Sequence, residues 1–426
     1  MKFSIKLTAF LLAVMTLVPL TVAAGDSQLV SPAISVIAKD TSLRVTGMSY
    51  GNAVFSASDF DLTLGATVDE ITILTLPDPD EGTLRLGDAP VTVNQKIKRR
   101  HLSSLVFHPT DSDGAEATFY FTADGGYTTA CEVSVIGTVN LAPTVNSESV
   151  STSVLSGIST GVSVSASDPD GDEMTWFVTE FPKKGTLTLS ASEDGLFVYT
   201  PDENKRGRDS FTVYARDEYG NWSEPVTVDI KIGKNKTGIE YSDLGGLAVY
   251  SDAVKMTAAG VMNGNTADGV TYFDPEKAVT REDFITMLMK TVGLDEIPEV
   301  APVGFADDGE ISNGARNYCR AAKKLGLVNG STVDGELYFN PKSEITHAEA
   351  AVILNNLIGV DESVGEKAVS VFAEDSVVPV WARSAVGAMH TIGVMKLADG
   401  GASALSILTR ADVAKILAAV MDMVVE

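Results

Sequence analysis

Hydrophobic and polar residues alternate through much of the chain from about residue 26 to 233. Thr186-Leu187-Thr188-Leu189 and Ser210-Phe211-Thr212-Val213-Tyr214-Ala215 are such runs, and Gly, Asp, Asn and Pro separate them. A period of two puts every second side chain on one face of a strand, so this stretch is expected to be all β, with no helix of useful length. Beyond Lys231 to Gly238, which holds two Gly and three Lys, the period becomes 3.6. Phe284, Leu288, Val292, then Ala350, Leu354, Ile358, then Val413, Leu417, Met421 mark the core faces of three helices.

Each of these helices has a legible start. Thr280, Thr346 and Thr409 stand four residues ahead of the stripes, and Asp283, Glu349 and Asp412 follow them by three. That is capping-box spacing, in which the hydroxyl accepts an early backbone N–H and the carboxylate reaches back. A shorter helix is expected before each, over about Ser251 to Ala259, Ala315 to Leu325 and Trp381 to Ile392. Gly260, Gly326 and Gly393 close them at a position that favours positive φ. The threonines lie 66 and 63 residues apart and the glycines 66 and 67, so one unit recurs three times. Units this small bury an apolar face only against one another, and such arrays usually bind rather than catalyse.

The β half also repeats. Gly82-Thr83-Leu84-Arg85-Leu86 matches Gly185-Thr186-Leu187-Thr188-Leu189, Phe107-His108-Pro109 matches Tyr199-Thr200-Pro201, and Phe119 matches Phe211. The offsets of 103, 92 and 92 approach the length of one β-sandwich. Residues 26–139 and 141–233 are therefore read as two sandwiches joined at Leu141-Ala142-Pro143-Thr144. The first copy is the more divergent, and it is eccentric around Ser56 to Leu64.

At the N-terminus Lys2 and Lys6 precede an apolar run from Leu7 to Val22, and Val22-Ala23-Ala24 offers small residues before Gly25. Residues 1–24 read as a cleaved signal peptide, which implies export, and no transmembrane span is expected after cleavage. The formal net charge of −25 opposes binding to nucleic acid or anionic membranes and favours solubility outside the cell, or cation binding by carboxylates. Cys131 and Cys319 fall in different halves and are expected to be buried thiols rather than a bridge.

The second sandwich carries Asp168-Pro169-Asp170-Gly171-Asp172, Gly185-Thr186-Leu187, Tyr199-Thr200-Pro201 and Asp209-Ser210-Phe211-Thr212. In this order the runs resemble bacterial cadherin-like or immunoglobulin-like repeats. Asp168, Asp170 and Asp172 could ligate Ca²⁺ through clustered carboxylates, and a solvated turn is the alternative reading. Gly157-Ile158-Ser159-Thr160-Gly161 matches a nucleophile-elbow pattern, but it runs into a strand instead of a helix. No catalytic constellation is found, and the chain is expected not to be an enzyme.

The helical units open on Tyr241-Ser242-Asp243, Phe305-Ala306-Asp307 and Phe372-Ala373-Glu374. Two of them continue through Gly264 or Gly330 to Tyr272-Phe273 and Pro275, or Tyr338-Phe339 and Pro341. Ile345-Thr346-His347-Ala348-Glu349 and Leu408-Thr409-Arg410-Ala411-Asp412 follow in the second and third. Over residues 239–300, 301–365 and 368–426 the chain resembles three S-layer homology domains. The resemblance implies an all-α pseudo-trimer with grooves between units. It also implies non-covalent anchoring to secondary cell-wall polysaccharide on peptidoglycan, with Arg281 and Arg410 contacting an acidic glycan. An Arg there stands beside free backbone N–H groups at a helix start and can grip a carboxylate with two hydrogen bonds. His347 replaces the second Arg and is largely neutral at pH 7. The third unit is shorter, with 16 residues from Gly393 to Thr409 against 20, and lacks the aromatic-x-Pro loop. It alone starts its short helix with a Trp, Trp381, suited to stacking on a sugar. Gly264 and Gly330 are counted with the groove residues.

The chain therefore reads as multidomain, with immunoglobulin/cadherin-like sandwiches followed by the three-unit bundle: a secreted protein held at the cell wall. Self-association in a surface layer is compatible with this. The runner-up is an adhesin or carbohydrate-binding protein whose sandwiches bind an external ligand, which an exposed aromatic row on one sheet would favour.

Overall fold

The computed structural model describes residues 42–48, 51–110, 115–190, 193–360, 378–395 and 404–425. The expected signal peptide and the Phe372-Ala373-Glu374 opening lie outside them. Among the described residues no helix is long and apolar enough to cross a membrane.

The alternating runs form two successive β-sandwiches. In the first, a sheet ordered Leu43–Gly47, Thr128–Val135, Glu116–Ala123, Glu70–Ile73, Lys96–Lys98 faces a sheet ordered Ala53–Val54, Leu105–Pro109, Gly82–Leu86, Ala89–Pro90. In the second, Ser149–Leu155, Val226–Gly233, Gly207–Asp217, Met174–Glu180 face Thr160–Ser163, Leu196–Pro201, Gly185–Leu189. Both sandwiches pair their first long strand parallel to their last, Leu43 with Cys131 and Ser149 with Thr227. The internal repeat therefore extends to topology. Each sandwich has its own core, around Phe55, Phe60, Phe107, Phe119 and Phe121 in the first and Trp176, Phe197, Tyr199 and Phe211 in the second. Cys131 and Cys319 are buried and free.

The all-β expectation fails at two places, one of them only a short 3-10 segment, Arg99–Ser104. Ala57–Leu64 is a helix (α1), capped reciprocally by Ser56 and Asp59 and closed by Gly65 at φ 66°. This is the eccentric stretch of the first copy. Its signal was a capping box, which period-two reading overlooks.

Asp209 explains the second copy's motif. It is buried and accepts hydrogen bonds from the backbone N–H groups of Lys183 and Lys184 (2.9 and 2.8 Å) and from the Tyr199 hydroxyl (2.9 Å). The Tyr-x-Pro and Asp-Ser-Phe-Thr runs are thus two ends of one contact. A buried carboxylate is tolerated because each of its oxygens has donors.

After the sandwiches come α2 (Tyr250–Ala258), α3 (Arg281–Thr291), α4 (Asn313–Lys324), α5 (His347–Ile358), α6 (Arg383–Thr391) and α7 (Arg410–Val425), and the all-α expectation fails at two short hairpins, Asn265–Ala267 with Val270–Tyr272 and Ser331–Val333 with Glu336–Tyr338. The threonines cap α3, α5 and α7 as expected. Thr346 and Thr409 have the reciprocal carboxylate bond to their own N–H, and Thr280 instead donates its hydroxyl to Asp283. Gly260, Gly326 and Gly393 sit at φ 71°, 75° and 74°. In two units the aromatic-x-Asp opening caps the following loop. Asp243 accepts from Phe273 N and Asp274 N, and Asp307 accepts from Phe339 N and Asn340 N. Asp274 and Asn340 turn with positive φ, which short polar side chains tolerate.

The three units close into a cycle. Val279 N donates to Leu408 O, Leu408 N to Ile345 O, and Ile345 N to Val279 O, at 2.8–3.0 Å. Each capped helix packs on the short helix of the next unit: α3 on α4, α5 on α6, and α7 on α2. One continuous core results, and it also takes in Ile158 from the second sandwich.

Candidate functional site

The residue after each capping Thr faces the next unit round the cycle. Arg281 Nε donates to Phe339 O (3.0 Å), with its guanidinium 5.5 Å from that ring's centre. Arg410 Nε donates to Phe273 O (2.7 Å), Nη2 donates to Asn263 O (2.7 Å), and the guanidinium stacks 4.6 Å from the Phe273 ring. His347 Nδ1 lies 3.1 and 3.0 Å from the carbonyl and hydroxyl oxygens of Ser406. The arginines are therefore neither free surface groups nor bare anion clamps. Each already ties two units together.

The two arginines differ in what neutralises them. Arg281 Nη1 pairs with Glu349 Oε1 at 3.0 Å. The matching acid beside Arg410 is Asp283, one methylene shorter, and among the described residues no carboxylate forms an ion pair with Arg410. Burial pulls its pKa below the usual value, and Asp274, Tyr241 and Asp283 oppose that pull. A guanidinium stays charged regardless. Arg410 is thus a half-buried cation with spare donor capacity at the junction of the third and first units. At the junction of the first and second units Glu282 also accepts from Lys342 and from Ser312.

The other expected groove residues take different parts. A Cβ on Gly264 would stand 2.5 Å from the Tyr241 ring, and one on Gly330 would stand 2.9 Å from the Phe305 ring. Both glycines make room for their own unit's aromatic. Trp381 is 60% exposed at the start of α6 and remains available for stacking. The outer-face aromatics of the second sandwich do not form an exposed row. Trp222 meets both Phe177 and Tyr214 edge to face, and Phe177 and Trp222 cover the buried Arg216.

The acidic run is only partly as expected. Asp168 and Asp172 converge with Asp217, each offering an oxygen within 4.8 Å of the others. Asp170 instead accepts from Leu141 N at 2.7 Å. Asp217 escaped sequence reading because it comes from the far end of a strand; its signal was the Asp217-Glu218 turn. Asn140, at the linker, donates to Asp217 at 2.7 Å, and Arg216 reaches Ser42 O of the first sandwich at 3.0 Å, so the cluster sits at the junction of the two sandwiches. Asp168 Oδ2 and Asp172 Oδ2 are buried without a hydrogen-bond partner. Desolvation, then the charge of Asp168, raises the Asp172 carboxyl; desolvation raises that of Asp217. Orphaned, mutually repelling carboxylate oxygens fit a hard cation such as Ca²⁺.

Comparison with known proteins touches parts of the chain. Residues 140–234 match the bacterial cadherin-like domain family. Stretches of the chain are 32% identical over 123 residues to an amylopullulanase of Thermoanaerobacterium thermosulfurigenes and 31% over 123 residues to the exoglucanase XynX of Acetivibrio thermocellus. A third relative is a surface-layer 125 kDa protein of Lysinibacillus sphaericus, 28% identical over 121 residues. Each match takes in 28% of this chain but only 6, 11 and 10% of those proteins. Among solved structures, the fibronectin(III)-like modules of Clostridium thermocellum CbhA overlap 47% of this chain and 95% of theirs, with 12% identity and a TM-score of 0.22. Human mucin-like protocadherin EC1-2 overlaps 40% of this chain and 86% of its own, with 16% identity and a TM-score of 0.18.

Proposed function

We propose that this chain is a non-enzymatic cell-surface protein. Its helical units, which resemble S-layer homology domains, hold it to an acidic secondary cell-wall polysaccharide, and its two sandwiches act as spacer or contact modules. Arg410 carries this reading: a buried-edge guanidinium, charged, pre-positioned by two carbonyls and lacking a carboxylate partner, meets an acidic sugar at low reorganisation cost. Arg281 is quenched by Glu349, and the ring nitrogen Nδ1 of His347 is already engaged by Ser406, so a single groove does most of the work. The shared stretch with a surface-layer protein and the cadherin-like match support the setting. The catalytic activities of the two glycosidase relatives do not carry over, because the matches reach so little of either enzyme.

The test is co-sedimentation of the full chain with purified wall sacculi, before and after extraction of the secondary polymer, for wild type, Arg410→Ala and Arg281→Ala. Retention should require the polymer, fall at least tenfold in Arg410→Ala, and persist in Arg281→Ala. Equal loss in both variants would refute the one-groove reading. Retention on extracted sacculi would refute polysaccharide anchoring.

A further inference from the structure

The second sandwich and the helical units share a seam. Ser251 N at the start of α2 donates to Ser159 O (3.1 Å), Ser159 Oγ donates to Leu247 O (2.8 Å), and Gly161 N donates to Ala248 O (3.2 Å). The Thr160 and Ser251 hydroxyls bond at 2.9 Å. The Gly157–Gly161 run, which resembled a nucleophile elbow, therefore caps a helix of the neighbouring domain. A side chain at Gly161 would press on Ala248 at 3.0 Å.

Beside this seam lies a cleft of about 260 Å³, walled by Glu193 of the sandwich, Ser251 and Asp252 of α2, His347 of α5, and Asp412 and Lys415 of α7. It has room for one sugar ring or one lysyl side chain. Its charges are mostly committed. Lys415 pairs with Glu193 at 3.1 Å. Lys255, the other lysine near Asp252, is held by Ala418 O and by Asp422. Asp412 caps Thr409, and His347 Nδ1 is engaged by Ser406. Asp252 alone among these has no hydrogen-bond or ion-pair partner within the described residues, although it is half-buried and borders the cleft.

We propose that this cleft binds a primary ammonium group, with Asp252 as its counter-ion. An acidic ligand would add repulsion, and a purely hydroxylic one would leave Asp252 without a direct ion pair. An ammonium supplies both the opposite charge and three donors for the hydroxyl-lined wall. The amine could belong to a non-acetylated amino sugar or to a peptide side chain. The site stands apart from Arg410 and does not rest on the polysaccharide reading. Burial pushes the Asp252 carboxyl up to about 6, against the pull of Lys255 and Lys415 and with the help of Asp422. Binding is therefore expected to weaken on acidification. Glu193 from the sandwich, His347 from α5, Lys255 from α2, and Asp412, Lys415 and Asp422 from α7 are the other charged or titratable groups around it.

Isothermal titration of the full chain with glucosamine, N-acetylglucosamine and Nα-acetyl-lysine amide at pH 7.5 tests this. At least one free amine should bind saturably, and the acetylated sugar should not. Glucosamine alone would identify a sugar amine; the lysine amide alone would identify a peptide amine. Asp252→Asn, which breaks no hydrogen bond, should weaken binding at least tenfold, as should a shift to pH 5 in the wild type. The proposal is overturned if neither amine binds, if N-acetylglucosamine binds as well as glucosamine, or if a folded Asp252→Asn binds like wild type. Should that variant not fold, the acetylation comparison and the pH arm still decide.

Discussion

Replacing Arg410 by Ala should cost the helical units about 2–3 kcal/mol, and the figure follows from its contacts. Two hydrogen bonds from a charged donor are lost, worth roughly 1.5–3 kcal/mol each in a buried setting. The two acceptors are not equivalent, however. Asn263 is exposed, so its carbonyl recovers water, whereas Phe273 is fully buried and its carbonyl is left short of a donor. Stacking on Phe273 adds about 0.5–2 kcal/mol. Against these losses, the variant no longer buries a cation without an ion pair, a burden visible in the lowered pKa. Arg281→Ala should cost about as much. It strands the carbonyl of the equally buried Phe339, while its pair with the one-third-exposed Glu349 adds at most about 1 kcal/mol. Urea unfolding followed at 222 nm reports mainly on the helical units, because α1 is the only described α-helix elsewhere. At about 1–3 kcal/mol per molar, both midpoints should fall by roughly 1 M. A loss below about 0.5 kcal/mol in either variant would refute the view that these side chains tie the units together. Matched stability losses are also what make the binding comparison between the two informative.

Glu349→Gln should release Arg281 without destroying the Thr346 cap, since Gln can serve a capping box; retention on polymer-bearing sacculi should rise, and unchanged retention would count against charge quenching of that groove. Calorimetry of the full chain should show stabilisation by Ca²⁺ at about 1 mM, the range of extracellular modules, abolished by Asp172→Asn; no response in wild type would dismiss the cation site. With chelator present, the raised carboxyls of Asp172 and Asp217 contribute stability that is complete below the ordinary Asp range and lost as pH rises through their raised values. The junction should therefore gain stability on mild acidification in chelator, and this gain should vanish with Ca²⁺. Gly264→Ala and Gly330→Ala should each destabilise by about 1–3 kcal/mol through overpacking, the latter more because its φ of 78° also disfavours a side chain; near-wild-type urea midpoints would contradict the packing role.

Local features were readable because they depend on residues a few positions apart. The capped starts of α3, α5 and α7, the left-handed glycines after α2, α4 and α6, and the alternating strands all belong to that class. α1 was missed for a related reason: a short capped helix inside a β stretch has too few turns for a period to emerge. Asp209 and the aromatic-x-Asp openings were visible as motifs, but their bonds to backbone N–H groups span 25 to 33 residues and needed the fold to be explained.

By itself the sequence determined two β modules and a threefold helical array, because periodicity, caps and turn residues are set by short-range sterics and hydrogen bonding. Only the tertiary structure decided which motif residues keep chemical freedom. Arg281 and Arg410 are the same residue in the same repeat position, yet the cyclic packing sets one against a Glu and the other against an Asp one methylene shorter. Likewise Asp217 joined Asp168 and Asp172 in place of Asp170, and Asp252 was left facing a cleft, because charges interact over distances that chain folding, not chain order, assigns.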